Sequence, residues 1–513
     1  MRRKIYLVTS SILILSFLVM PLPGLQSSSQ RISSYGTVGY AAELSKMAFY
    51  RMRYLITTES DWAVITISSN QTHAAAVYDI CEGKDAPGLR IWWDDKNVGI
   101  NKNQYDTTKV IVNVTLLITG LDSSSPVVYT ITKGSLKYTT LVIQNFNSNS
   151  ASIVANVTNS LTGSAENPLT FEVEVGVLMN MGPENIKFNR LEKKVLAFYY
   201  PWYGTPWGSH GCWAHWNEAG HNPDIYIGGR RDIAAVHYPL IDVYDSWDPS
   251  LIQYHLRLVK DSGIDVLIFS WFGVSSGTDQ GLRCFLDYID YGGNEVGNLS
   301  ITVYYETLKN RDLEKEQALN QTIYDLTYVM NQYSNRKAFF RADGKPVIFI
   351  YSAEFFSVQD WKHILAEVRK VRDAYFIGNT LNVSYLAAFD GLHVYNPLRI
   401  EGDKLGLIYQ QMSLYAHAWT LLAQDSTEKI FIATVSPGYD DTKVRAPSLI
   451  VSREGGLTYK KSWEIALHSA PDWIIITSFN EWHEGTEIEP SVEYGSYYLN
   501  LTRDFSDQFR LSG

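Results

Sequence analysis

The stretch WIIITSFNEWHEG, Trp473 to Gly485, starts as an apolar run too short for a helix and ends in two glutamates, Glu481 and Glu484, three positions apart. A short, unbroken apolar run bounded by polar residues reads as a strand buried on both faces. The pattern recurs upstream in VLAFYY (195–200), VLIFSW (266–271), ITVYYE (301–306), VIFIYS (347–352), AYFIG (374–378), LHVYN (392–396) and IFIATV (430–435). With WIIITSF (473–479) these make eight strands. Stretches of helical periodicity lie between them: SLIQYHLRLVKDSG (250–263), LEKEQALNQTIYDLTYVMNQ (313–332), VQDWKHILAEVRKVR (358–372), LGLIYQQMSLYAHAWTLLAQ (405–424) and TYKKSWEIALHSA (458–470). Eight buried strands alternating with helices over residues 195–513 favour an α/β fold of the closed (β/α)8 TIM-barrel kind over an open doubly wound sheet.

A barrel makes a demand on the sequence, because its active groups follow the C-terminal ends of the strands. Here strand one runs into YYPWYG, strand two into SWFG, and strand three ends at Glu306. Strand six ends in Tyr395-Asn396, strand seven leads to SPGYDD and strand eight to SFNEWHEG. A core built for stability alone has no need of that asymmetry. No GxGxxG or GxxxxGK[ST] turn is present, so a phosphate cradle is not supported.

Upstream of the barrel the rhythm differs. Residues 41–181 alternate apolar and polar positions in short β-branched runs such as KVIVNVTLLITGL and LTFEVEVGVL, separated by Ser, Asn, Gly and Pro turns. Period two with frequent turns predicts an all-β sandwich-like domain, which either binds glycan or spaces the barrel. Residues 182–194 form a connector. The N-terminus, MRRK followed by an apolar stretch and then a Gln-Ser segment, reads over residues 1–28 as a secretory signal or as a membrane anchor. Either reading places the protein outside the cell or at its surface. Seven Asn-x-Ser/Thr acceptors, at Asn70, Asn113, Asn156, Asn298, Asn320, Asn382 and Asn500, accord with export. Cys81, Cys212 and Cys284 form neither a disulfide framework nor a metal-ligand pattern; one Cys212–Cys284 bridge and buried free thiols both fit. A net charge of −10 argues against nucleic acid, and nothing points to a protein partner.

The aromatic content, with 14 Trp and 34 Tyr, suits sugar binding, since a ring offers an apolar face and a polar edge. Cleaving a glycoside requires a proton at the leaving oxygen and electron density at the anomeric carbon, and two carboxyl groups supply both. Glu481 and Glu484 are close enough in sequence to share one proton, with Trp482 and His483 between them to exclude water. His483-Glu484 opens like HExxH, but position 487 is Glu, so the zinc-protease pattern fails. His210, His215 and His221 match no familiar metal spacing and are expected to pack or hydrogen-bond.

SFNEWHEGTEIEP, FYYPWYG (198–204), GCWAHWNE (211–218) and SPGYDDTKVR (436–445) resemble glycoside hydrolase family 99, the endo-α-mannosidase and endo-α-1,2-mannanase family, over residues 195–509. The resemblance implies retaining cleavage of internal α-mannosidic bonds without cofactor or metal. It makes Glu481 the base on the sugar 2-hydroxyl and Glu484 the acid on the leaving oxygen. It also implies substrate contacts from Tyr200, Trp202, Trp213, His215, Trp216, Trp271, Glu306, Tyr395, Tyr439, Arg445 and Asn480. Glu306 is expected to accept sugar hydroxyls or pair with Arg445, Trp271 to stack on a sugar, and Asn480 to orient the base. The expected partner is an oligosaccharide or polysaccharide substrate. A non-catalytic glycan-binding protein, a hydrolase with a carboxylate nucleophile, and a transglycosylase are the competing readings.

Overall fold

The computed structural model describes the chain from Leu191 to Leu511, leaving out residues 292–298 and most of 401–428, together with the backbone of ten strands between Ala48 and Val175. The eight expected barrel strands are all present: β1 (Lys194–Tyr199), β2 (Val266–Trp271), β3 (Ser300–Tyr305), β4 (Lys345–Ile350), β5 (Tyr375–Asn379), β6 (Gly391–His393), β7 (Ile430–Val435) and β8 (Trp473–Ile476). Each pairs in parallel with its sequence neighbour, and β8 lies between β7 and β1. The β3–β4 seam is short, with Tyr304 opposite Phe349 and Tyr305 opposite Ile350. These pairings close an eight-stranded parallel barrel.

Alternation along each strand divides the apolar residues between two cores. On β1, Val195, Ala197 and Tyr199 face the surrounding helices. Leu196 and Phe198 instead meet Ile268, Tyr304, Phe349, Ile377, Ile432 and Ile475 inside the barrel. This double burial is why the strands read as unbroken apolar runs. His393 of β6 also lies inside, wholly buried, and desolvation pushes its imidazole down to about 3.

The helices cover the outside. They are α1 (Pro249–Asp261), α2 (Gly277–Tyr291), α3 (Lys315–Gln332), α4 (Val358–Arg369), α5 (Leu457–His468) and α6 (Tyr497–Leu511). In α1, Pro249 occupies the first turn, where its missing N–H costs nothing, and Leu251, Ile252, His255, Leu256 and Val259 form the buried stripe. Ser357 and Asp360 make a reciprocal capping box at the start of α4. Neither α2 nor α6 was among the expected helices. Gly277 and Gly281 weaken the helical signal of α2, yet Gly281 has a packing reason: a Cβ there would lie 2.6 Å from Pro201 Cβ. Between β5 and β6 the chain makes only a 3-10 turn, Val383–Ala387, and the helix expected over 405–424 falls largely outside the described residues.

The ten upstream strands pair antiparallel in a four-stranded and a six-stranded sheet. Their side chains, residues 1–28 and most of the connector lie outside the described residues. Among the described residues no helix is long and apolar enough to cross a membrane. Cys212 and Cys284 are free thiols, Cys212 exposed and Cys284 half-buried, so they neither bridge nor sit as a pair of buried thiols.

Candidate active site

After β8 the chain turns into the loop 477–490, whose placement rests on three anchors. Asn480 accepts from the Tyr200 backbone N–H (2.8 Å) and donates to the Tyr200 carbonyl (3.0 Å), tying the loop to the end of β1. Trp482 donates its indole N–H to the Tyr244 hydroxyl (2.9 Å), and its backbone N–H to the Tyr203 hydroxyl (3.0 Å). Glu489 accepts from Tyr244 (2.7 Å) and from His255 (3.0 Å), both buried. Gly485 turns the loop at φ +57°, a region that disfavours side chains.

This loop aims both glutamates at the mouth of the barrel. Glu484 accepts from Tyr395 (3.1 Å) on one oxygen, and on the other from Arg445 (2.9 Å) and Tyr439 (3.1 Å). Arg445 also pairs with Asp441 at 3.1 Å. These three donors fix the position of the Glu484 carboxyl group. Glu481 is almost fully buried, accepts from the backbone N–H of His483 (3.2 Å), and sits beside Glu484. Burial first, and the neighbouring Glu484 charge second, hold its pKa well above the usual carboxyl range despite Arg445. A third carboxyl, Glu306 at the end of β3, is pushed up to about 7 by burial; the Ser270 hydroxyl (2.7 Å) opposes that shift and Glu484 adds to it. The mouth thus gathers Glu481, Glu484 and Glu306, with Arg445 on Glu484, and burial raises both Glu481 and Glu306 above the ordinary carboxyl range.

Aromatic residues wall this centre. Tyr200 bonds Tyr395 through their hydroxyls (2.6 Å), Trp202 packs on Tyr200 at 4.6 Å between ring centres, and His215 stacks on Trp202 at 4.4 Å. His483 donates its Nε2–H to the His215 carbonyl (2.6 Å), and burial lowers its pKa to about 4. Of the expected residues, the structure therefore gathers Glu481, Glu484, Tyr200, Trp202, His215, Glu306, Tyr395, Tyr439 and Arg445 around one mouth.

Four expectations change. Trp271 is fully buried on the helix-facing side and donates to Asp279 (2.9 Å); the side chain after it, Phe272, is the one exposed, 6.3 Å from Trp202. Strand alternation sends Trp271 outward, and sequence pattern offered no means of choosing between the pair. Asn480 spends both ends of its amide on Tyr200, so it positions the loop rather than touching the base. Glu306 bonds Ser270, while Arg445 is taken up by Glu484 and Asp441, so the two do not pair. Trp216 is fully buried under the loop, donating to the Tyr244 carbonyl (2.9 Å), whereas Trp213 lies farther out on the rim. Asp441 and His483 were not named as site residues, although both lie inside the quoted motifs.

Among the described residues, His215, Glu218 and His483 form one group of metal-competent side chains, with donor atoms within 4.8 Å of one another. His483 Nε2 is committed to the His215 carbonyl, and His215 Nδ1 lies 3.0 Å from Glu218. The His483 hydrogen bond and the close approach of His215 to Glu218 thus tie the cluster together. His210 pairs with Asp245 (2.7 Å) and stacks on Trp247, and His221 pairs with Asp232 (2.5 Å).

The family model for Glycosyl hydrolase family 99 matches residues 190–511. The Glycoprotein endo-alpha-1,2-mannosidase of Rattus norvegicus is 30% identical over 362 residues, which cover 61% of this chain and 74% of that protein. A Glycoprotein endo-alpha-1,2-mannosidase-like protein of Homo sapiens is 28% identical over 379 residues, covering 64% and 78%. The solved GH99 endo-alpha-mannosidase from Bacteroides thetaiotaomicron superposes with a TM-score of 0.51 at 28% identity, covering 62% of this chain and 98% of that one.

Proposed function

The chain belongs to Glycosyl hydrolase family 99 and is a glycoside hydrolase, and from that premise we propose that it is an exported enzyme cleaving internal α-mannosidic bonds with retention. What carries the reading is the carboxyl pair on one loop: buried Glu481 beside a Glu484 held by Arg445, Tyr395 and Tyr439.

In an α-mannoside the axial 2-oxygen lies anti to the leaving group. Glu481 takes the 2-hydroxyl proton, O2 bonds to C1, and the C1–leaving-group bond breaks as Glu484 protonates the departing oxygen. O2 and C1 are already joined through C2, so no second reactant has to be brought up. Water then loses a proton to Glu484 and attacks C1; the C1–O2 bond opens and O2 recovers its proton from Glu481. Two inversions leave the anomeric configuration retained.

These roles require Glu481 to act as a base, whereas burial holds its pKa well above the usual carboxyl range. Substrate supplies the difference. Sugar hydroxyls donating to Glu481 replace its lost solvation and stabilise its charge, and the proton passes to its neighbour.

The N-terminal segment exports the chain, as a cleaved signal or as an anchor. Residues 41–181 form a β-sandwich that spaces the barrel from its attachment; the antiparallel pairing of ten strands supports this. The test is hydrolysis of α-mannan and of glucosylated mannose oligosaccharides by the wild type, Glu481→Gln and Glu484→Gln. Wild type releases disaccharide of retained configuration, and each variant loses about 10²–10⁴-fold. A fluoride leaving group, needing no proton, rescues Glu484→Gln and not Glu481→Gln. A trapped glycosyl ester on Glu481 would overturn the 1,2-anhydro route. Glycan binding without hydrolysis by all three proteins would return the chain to the non-catalytic reading.

A further inference from the structure

The loop between β1 and α1 carries an aromatic group that the chemistry above does not use. Trp207 and Tyr226 are 61% and 59% exposed, an unusual placement for such large rings. They are not loose. The Arg231 guanidinium lies 4.9 Å from the Trp207 ring centre, 5.4 Å from that of Trp213 and 4.9 Å from that of Tyr226. Its Nη1 donates to the Pro223 carbonyl at 2.8 Å, and its buried Nε has no hydrogen-bond partner. Three rings and one carbonyl thus hold the cation, and the cation in turn fixes the rings. Trp207 meets Trp213 edge to face at 5.1 Å, and the Trp213 indole is fastened to Asp224 at 2.9 Å.

This platform is joined to the catalytic mouth along the chain. From Trp213 the chain bridges Ala214 to Gly204 and reaches His215, which stacks on Trp202. Aromatic side chains therefore lead from the Tyr395 contact with Glu484 through Tyr200 and Trp202 to His215, and two residues back along the chain Trp213 meets Trp207. We infer that Trp207 and Tyr226, fixed by Arg231, form a distal subsite that stacks a pyranose ring of the glycan chain beyond the residues being cleaved. Pre-fixed flat rings suit such a ligand, because the apolar face of a sugar gains contact area and little side-chain freedom is lost on binding. The occupant is a polysaccharide segment: the platform shares its loop with Trp202 and His215 of the mouth, an argument that rests on the function proposed above.

The experiment compares wild type with Trp207→Ala/Tyr226→Ala on yeast α-mannan and on a mannotetraose. The subsite predicts that kcat/KM on α-mannan falls about tenfold, equivalent to roughly 1.4 kcal/mol, while the tetrasaccharide value changes less than about twofold. An equal loss on both substrates, or no loss on either, overturns it. Should the wild type cleave neither, the reading of function falls, and retardation in a mannan-containing gel decides the subsite separately. Retardation of the wild type that is lost in the variant supports it; equal retardation, or none, overturns it. Sedimentation of both proteins covers the remaining occupant: a wild-type dimer that the double variant dissociates makes the patch a self-association surface and overturns the proposal.

Discussion

Glu306 and His393 put opposite demands on the molecule at the level of single residues. Glu306 rises from the ordinary carboxyl range to about 7 on folding, so the unfolded chain loses its proton first. Its contribution is most favourable at acid pH and declines as pH climbs towards 7, by roughly 3 kcal/mol at 1.36 kcal/mol per unit. His393 falls from 6.5 to about 3, so its contribution is intact above 6.5 and is lost as pH drops towards 3. Glu306→Gln, which resembles the protonated acid, should therefore raise the midpoint of thermal unfolding at pH 8 and leave it nearly unchanged below the unfolded value of 4.5. A variant equally stable or less stable at pH 8 would contradict the buried-carboxyl account. Arg445→Met removes the cation on Glu484 and leaves the two tyrosines; kcat should fall about 10²-fold, and stability should fall as well because Asp441 and Glu484 lose their counter-charge. Which residue types gather at the mouth was legible, because Glu481, Glu484, Tyr439 and Arg445 all stand in motifs at strand ends. Which way each side chain points was not. Trp271 and Phe272 are adjacent aromatics, and strand alternation alone sends one to the core and exposes the other.

As an element, the loop 477–490 is built so that its carboxylates move little. The Trp482 indole and Glu489 share a buried network with Tyr244 and His255. Trp482→Phe keeps the packing and leaves Tyr244 and Glu489 short of a donor. It should cost about 1–3 kcal/mol of stability, and lower kcat more than it raises KM. Gly485→Ala forces a side chain into positive φ, with its Cβ 3.0 Å from the Asp440 carbonyl. A loss of about 1–2 kcal/mol is expected in chemical denaturation, together with reduced activity, because Glu484 is the preceding residue. The strands were readable because double burial makes them uniformly apolar. Helices α2 and α6 were not among those expected, although each carries an apolar stripe at helical spacing; the glycines of the first lower its intrinsic propensity.

On the scale of the molecule, the barrel closes on its own core and carries every group of the catalytic mouth. The family match begins at residue 190, and the bacterial structure aligned over 98% of its length corresponds to 62% of this chain. A protein starting at residue 182 should therefore unfold in one cooperative transition and cleave short oligosaccharides within about twofold of the full chain. Failure to fold, or a large drop in kcat on short substrates, would mean that the upstream strands complete the catalytic unit.

The sequence by itself determined the barrel, its eight strands and the end at which chemistry occurs. Period, apolar run length and the polar residues after each strand are local properties that any reader of the chain can follow. Tertiary structure decided the rest. It placed three donors on Glu484, buried Glu481 and Glu306, withdrew Trp271 and Asn480 from the mouth, and set Arg231 among three rings brought from separate parts of one loop. Charge state and orientation depend on neighbours distant in sequence, and those meet only when the barrel closes.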